Sequence, residues 1–347
     1  EIPDALGQLS NLTELNLSYN QISVIPDAIG QLSNLTQLYL SYNQITQIPD
    51  VLGQLSNLTK LNLSDNQISV IPDAMGQLSN LTQLFLYNNQ ITQIPDMIGK
   101  LSNLIVLYLY NNQISVIPEA IGQLSNLTEL VLMSNQISVI PDAISQLSNL
   151  IALSLGDNQI TQIPEVLVQL SNLTHLYLGH NQITSIPETI GQLSNLTALS
   201  LYNNQITSIP EAIRDMEKLE KLDLRGNLLR IPLEILQGEQ SYQAGDLRTI
   251  LDFYFQTRDP KDTEELYEAK LLIVGEGEAG KTTLAKKLLN PDYELQEREP
   301  STEGIDVSRG EFPYNGKTFR VNIWDFGGQE IYHATHQFFL TERSFYI

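Results

Sequence analysis

From its first residues to about Ile213, the chain repeats one pattern of apolar and polar positions every 23 residues. The stretch from Leu32 to Gln54 shows it: Leu-Ser-Asn-Leu-Thr-x-Leu-x-Leu-x-x-Asn-Gln-Ile-x-x-Ile-Pro-Asp-x-Leu-Gly-Gln. Leu35, Leu38 and Leu40 cannot be buried within one repeat, so each repeat must stack on its neighbours. Thr36 to Ser41 alternates like a strand, which turns Leu38 and Leu40 inward and Gln37, Tyr39 and Ser41 to the opposite face. Stacking then predicts a parallel sheet. Asn43 recurs as Asn20, Asn66 and on to Asn227, and its amide is suited to loop backbone groups that no ladder reaches. Ile45 to Asp50 leads to a short outer helix or turn, with Pro49 at the first helical position and Asp50 favouring its dipole. Gly53 gives way to Ser145, Val168 and Arg214 in other copies, so positive φ is not expected there and the glycine reads as tolerated.

A period in the twenties containing L-x-x-L-x-L-x-x-N is the signature of leucine-rich repeats. The expected fold is α/β: a leucine-rich-repeat solenoid with a parallel concave β-sheet, followed by a partial Ras-like P-loop domain. Residues 1–236 are assigned to the repeats and their cap, because Met216-Glu-Lys-Leu219 breaks the phrase and Asn227-Leu-Leu-Arg-Ile-Pro is a residue short. Residues 237–268 are assigned to a capping helix and linker, with Asp246 as N-cap, Leu247, Ile250, Leu251 and Tyr254 at helical spacing, and Asp259-Pro260 as a stop.

Residues 269–347 change the chemistry. Ala269 to Val274 is an apolar strand run, followed by Gly275-Glu-Gly277-Glu-Ala279-Gly280-Lys281-Thr282-Thr283 and a helix-forming stretch. G-x-x-x-x-G-K-[ST] between strand and helix turns backbone N–H groups toward a phosphate chain; Lys281 neutralises the outer phosphates and the Thr282 hydroxyl suits Mg²⁺. Thr302, in a polar loop, is expected to close over Mg²⁺ and a terminal phosphate. Val307–Phe312 and Thr318–Trp324 read as strands joined around Asn315-Gly316. After them come Asp325 as a Mg²⁺ ligand through water, Gly328 as a γ-phosphate sensor and Gln329 as the residue orienting an attacking water. Together they specify a Ras-like GTPase. An AAA-type or immune-receptor ATPase would more usually place consecutive acids after that strand and its repeats after the P-loop.

Three stretches, Gly275 to Leu284, Ser301 to Val307 and Asn322 to Thr341, closely resemble the Roc domain of ROCO proteins. That resemblance implies a cytoplasmic Roc GTPase using Mg²⁺ with GTP or GDP, followed by a COR domain, commonly dimeric, with repeats that modulate the GTPase. By the same resemblance the sequence reads as a fragment: it begins in mid-repeat and stops before the guanine-reading segment and COR. The rival reading is a protein-binding scaffold whose nucleotide site is structural or inactive.

Charge narrows the partners. The net charge is −21, and before Arg214 the only basic residues are Lys60 and Lys100, so nucleic acid and anionic membrane are repelled by the repeats. There are no cysteines and no run of membrane-spanning length. The Asn-Leu-Thr triplets belong to the repeat phrase and are not read as glycosylation sites. His333 and His336 lack a third metal ligand, and Arg298 is a minor candidate for an internal arginine finger. On the concave face Phe85, Tyr87, Tyr108, Tyr110, Val131 and Met133 form an apolar patch between polar or small residues at Lys60, Asn62 and Ser64 and at Ala152, Ser154 and Gly156. Such a patch suits a protein or peptide partner, or another part of the same chain, although stacking between neighbouring repeats also accounts for it.

Overall fold

A computed structural model describes residues 2–238, 240, 243–257, 268–273, 280–294, 305–314, 317–326 and 344–346. The chain divides into two compact units, Glu1–Arg258 and Asp259–Ile347.

In the first unit ten three-residue strands, from β1 (Glu14–Asn16) to β10 (Lys221–Asp223), form one parallel sheet in sequence order. Each strand pairs in register with its equivalent in the next repeat, as in Leu38 opposite Leu61. Inter-repeat backbone bonds run past the strands: Leu40 N–H donates to Asn62 O, and Tyr42 N–H to Ser64 O. The direction then changes at the residue before each pivotal asparagine, which is left-handed in nine copies without being glycine, Tyr42 at φ 55° and Asn88 at φ 53° among them.

The pivotal asparagines satisfy the turn that follows. Asn66 Oδ1 accepts from Ile45 N–H at 2.9 Å, while its Nδ2 donates to Leu40 O at 2.9 Å and Leu63 O at 3.1 Å. One amide thereby serves its own repeat and the preceding one. Leu35, Leu38, Leu40, Ile45, Leu52 and Leu55 are fully buried, and their equivalents join into one continuous core.

Two outer-face expectations are corrected. The outer segments are 3-10 turns such as Asp50–Gln54, and Pro49 precedes the turn as its N-cap at φ −72°, ψ 147° rather than opening it. The five residues close i→i+3 bonds, Leu52 N–H to Pro49 O, because the next repeat leaves no length for an α-helix. Gly53 has no positive φ, as expected, yet it is more than tolerated: an added Cβ would sit 2.4 Å from Ala74 O of the following turn. Tight packing of successive turns favours glycine there, and copies with larger residues must adjust locally.

At the far end of the array, α1 (Leu233–Leu236) precedes α2 (Leu247–Gln256). Asp246 caps α2 by accepting from Thr249 N–H at 2.9 Å, and Ile250 is fully buried. The Tyr254 hydroxyl accepts from Ile209 N–H at 3.0 Å, tying the helix to the tenth turn. Asp246 titrates below its ordinary range because Thr249 donates to its carboxylate.

Among the described residues, the second unit holds a four-stranded sheet built from β11 (Glu268–Ile273), β12 (Ile305–Tyr314), β13 (Lys317–Phe326) and β14 (Ser344–Tyr346), in the order β12-β13-β11-β14. β12 and β13 form the expected antiparallel hairpin and run longer than Val307–Phe312 and Thr318–Trp324. β11 lies parallel to both β13 and β14. Helix α3 (Lys281–Leu289) follows β11 and packs Ala285, Leu288 and Leu289 against Ile273 and Ile323.

Candidate functional site

Two places gather the residues singled out above. The first lies at the carboxyl end of β11, where ligands collect in open sheets of this kind. Ile273, the last residue of β11, pairs with Asp325 near the end of β13. Gly280 is the N-cap of α3 at φ +79°, a conformation that disfavours side chains, although a Cβ there would meet no atom of the described residues within 4 Å. The glycine is therefore required by backbone conformation and not by crowding among the described residues.

Lys281, Thr282 and Thr283 form the first turn of α3, which contains no acidic residue to offset the positive end of the helix. Thr282 Oγ1 donates to Asp325 Oδ2 at 2.6 Å across 43 residues of sequence, and Asp325 is 2% exposed. Two hard oxygen donors thus converge beside a helix N-terminus, a donor set suited to Mg²⁺. Gly275, Gly277, Ala279, Thr302, Gly328, Gln329, Arg298, His333 and His336 lie outside the described residues.

The second place is the concave face. β4 (Gln83–Phe85), β5 (Val106–Tyr108) and β6 (Glu129–Val131) set Phe85, Tyr108 and Val131 side by side. The Phe85 and Tyr108 rings meet edge to face at 5.3 Å between centroids, and Tyr87 and Tyr110 stack at 4.4 Å. The Tyr108 hydroxyl donates to the Glu129 carboxylate. Burial, followed by that bond, raises the Tyr108 phenol to about 12; burial is also the main cause for Tyr110, likewise raised to about 12. Met133 is half-buried.

The patch reaches further than the sequence reading drew it. Lys60, assigned to a polar border, holds its ammonium 5.3 Å from the Tyr39 ring centroid and 5.4 Å from that of Phe85. Tyr19 and Tyr42 add a second stack at 4.4 Å. These two were missed because the strand reading stopped at Ser41. The signal was present in the position before each pivotal asparagine, where Asn, Asp, His and finally Gly226 mark a left-handed turn.

A groove of about 1350 Å³ also runs along the array, lined by the Asn-Leu-Thr triplets. Its polar groups already bond between repeats: Asn34 Nδ2 donates to Ser10 O at 2.8 Å and Thr36 Oγ1 to Thr13 O at 2.9 Å. Those triplets are part of the scaffold. Among the described residues no helix is long and apolar enough to cross a membrane.

The geometry defines a leucine-rich-repeat solenoid and a second unit with a small mixed sheet and a helix, and comparison with known proteins gives the same division. The leucine-rich-repeat family matches residues 2–45, 79–137, 125–183 and 171–229, more than half the chain, and a two-copy repeat family matches residues 56–99. The family described as "Ras of Complex, Roc, domain of DAPkinase" matches residues 270–347. The chain belongs to the leucine-rich-repeat proteins and, with its repeats followed by a Roc domain, to the ROCO family.

Among its relatives are a probable serine/threonine-protein kinase pats1 of Dictyostelium discoideum, 41% identical over 105 residues, covering 25% of this chain and 3% of the kinase. A Roc-COR-CHAT protease of Runella zeae is 35% identical over 97 residues, covering 24% of this chain and 10% of the protease. The chain spans between 3% and 11% of the length of the curated relatives it matches. Among solved structures, a TDR receptor aligns with a TM-score of 0.63 and 30% identity over 67% of this chain and 42% of that one. PEPR1-AtPEP1 aligns with a TM-score of 0.60 and 33% identity over 68% and 35%.

Proposed function

We propose that this chain belongs to a cytoplasmic molecular switch that binds and hydrolyses GTP, with a concave repeat surface that holds a protein or peptide partner and regulates the switch. The hydrogen bond from Thr282 to Asp325 carries the nucleotide half. It brings the hydroxyl after the P-loop lysine to the acid at the strand end, where a P-loop protein of this class holds Mg²⁺. Mg²⁺ bound there would neutralise charge on the phosphate oxygens. Lys281 and the N–H groups opening α3 then face the phosphate chain, and Gly280, without a side chain, lets that chain approach the backbone.

Gly275, Gly277, Ala279 and Thr283 complete the phosphate cradle in this reading. Thr302 and Gly328 contact the terminal phosphate, and Gln329 orients the attacking water. The partner half draws on the apolar band around Phe85 and Tyr108, and on the likeness of the repeats to the plant peptide hormone receptor RGFR1, solved in complex with RGF2. Titration with fluorescent GTP and ATP analogues tests the nucleotide half. GTP should bind and ATP should not, and Lys281→Ala should weaken GTP at least tenfold while the fold is kept. Equal, lysine-independent responses to both nucleotides would instead support the inactive scaffold.

A further inference from the structure

The repeat that holds Lys60 also holds Asp65, and the two residues occupy similar surroundings with opposite charge. Lys60 stands between Tyr39 of the preceding repeat and Phe85 of the following one, its ammonium near both rings. Further along the same face lie Ser64 and Asp65. They are flanked by Tyr42 on the preceding repeat and Tyr87 on the following one, each backed by a stacked partner, Tyr19 and Tyr110. Neighbouring repeats rise about 4.8 Å, so Tyr42 and Tyr87 stand about 9–10 Å apart along the array. A planar group held between two rings needs about 7 Å.

The Asp65 carboxylate is only half used. Its Oδ1 accepts from Asn88 Nδ2 at 2.6 Å, whereas Oδ2 is buried and accepts no hydrogen bond. Its charge is the main cause that raises the Tyr42 phenol, and it contributes at Tyr110. The fold does not demand an acid here, since Asn88, Asn111 and Ser134 fill the same left-handed position in later repeats. Nor does it demand tyrosine, which is strained at Tyr19 (φ 58°) and Tyr42 (φ 55°). Ser64 is fully buried and so is Asp65 Oδ2, so a ligand reaches the carboxylate only by displacing a wall. Tyr42, 45% exposed and stacked on the 76% exposed Tyr19, is the wall that must turn outward to admit it.

We propose that the Ser64–Asp65 rung, walled by Tyr42 and Tyr87, is a pocket for one arginine side chain of an extended segment of a partner protein. This rests on reading the concave face as a binding surface. A guanidinium is flat enough to stack on a tyrosine ring while its N–H fork reaches a carboxylate, which a compact ammonium does less well. The neighbouring Lys60 shows that the same spacing holds a cation between flanking rings. A repeat array with only Lys60 and Lys100 as basic residues before Arg214 also draws a basic segment from a distance.

The test is titration of the full chain with acetyl-Gly-Gly-Arg-Gly-Gly-amide, followed by the ring resonances of carbon-13-labelled tyrosines. Saturable shifts at Tyr42 and Tyr87 are expected, and the isosteric citrulline peptide should give none. Asp65→Asn, the residue found at that position elsewhere in the array, should weaken binding at least tenfold without lowering the melting temperature. Tyr42→Leu should weaken it about threefold or more. Asp157→Asn removes equal charge from the same ladder farther along and should leave affinity unchanged. Phe85→Ala reports on the apolar band instead: a loss there with none in Asp65→Asn would overturn the pocket and leave the band standing, so the two failures are distinguishable. Non-saturable shifts, equal binding of the citrulline peptide, or equal losses from Asp65→Asn and Asp157→Asn would overturn the proposal.

Discussion

A pivotal asparagine does what leucine burial cannot: it gives partners to backbone groups that the turn strips from the sheet. Asn112 Oδ1 accepts from Ile91 N–H at 2.9 Å, and its Nδ2 donates to Leu86 O and Leu109 O at 3.0 Å each. Each buried group left unpaired costs about 1–3 kcal/mol, so Asn112→Ala should destabilise the array by about 3 kcal/mol or more. Hydrogen exchange at the Ile91 amide should accelerate well before exchange in distant repeats, and uniform protection would contradict this role. The asparagine's task was legible in the sequence because a side-chain amide recurring just past a strand end has little but the turn backbone to bond. The residue just before it was not legible, since Tyr42, Asp65 and His180 look unrelated until their shared left-handed backbone is seen.

Short strands packed rung on rung turn single substitutions into ladders of side chains. On β5 that ladder places Tyr108 against Phe85 and within reach of Glu129. Its phenol, near 10 when unfolded and raised to about 12 by burial and the Glu129 bond, binds its proton more tightly in the folded state. The resulting stability is complete below pH 10 and is lost as pH rises toward 12. Phenolate absorbance should show Tyr108 titrating late, and Glu129→Gln should move it back toward the ordinary value. An unmoved titration would assign the shift to burial alone. Strand positions were readable from alternation, but the length of the outer turns was not. Pro49 and Asp50 suit an α-helix start equally well, and the segment closes as one five-residue 3-10 turn whether glycine, as at Gly53, or Ser145, Val168 or Arg214 stands in it.

The two units have separate cores: the repeat leucines and isoleucines in one, and Ile273, Ala285 and Ile323 with their neighbours in the other. Ile323→Ala should therefore cost the second unit about 2–5 kcal/mol and leave the melting of the repeats where it was. Calorimetry that showed both transitions falling together would reveal coupling. The candidate phosphate site was readable because its motif must sit between strand and helix, and β11, Gly280 and α3 supply that context. The meeting of Thr282 with Asp325 was implied by the assignment of both motifs to one Mg²⁺ and not by spacing, since 43 residues separate them and spacing alone does not fold β13 beside β11.

The asparagine ladder also gives the array a direction. Asn43 reaches back 26 residues to Leu17 O and accepts from Ile22 N–H, so the first turn is complete only with the next repeat in place. The same holds at every step up to Asn227, which serves Leu201 and Ile206. An array cut before Asn227 would therefore end on a turn whose Leu201 O and Ile206 N–H have lost the amide that serves them, and its last repeat should exchange its amides first.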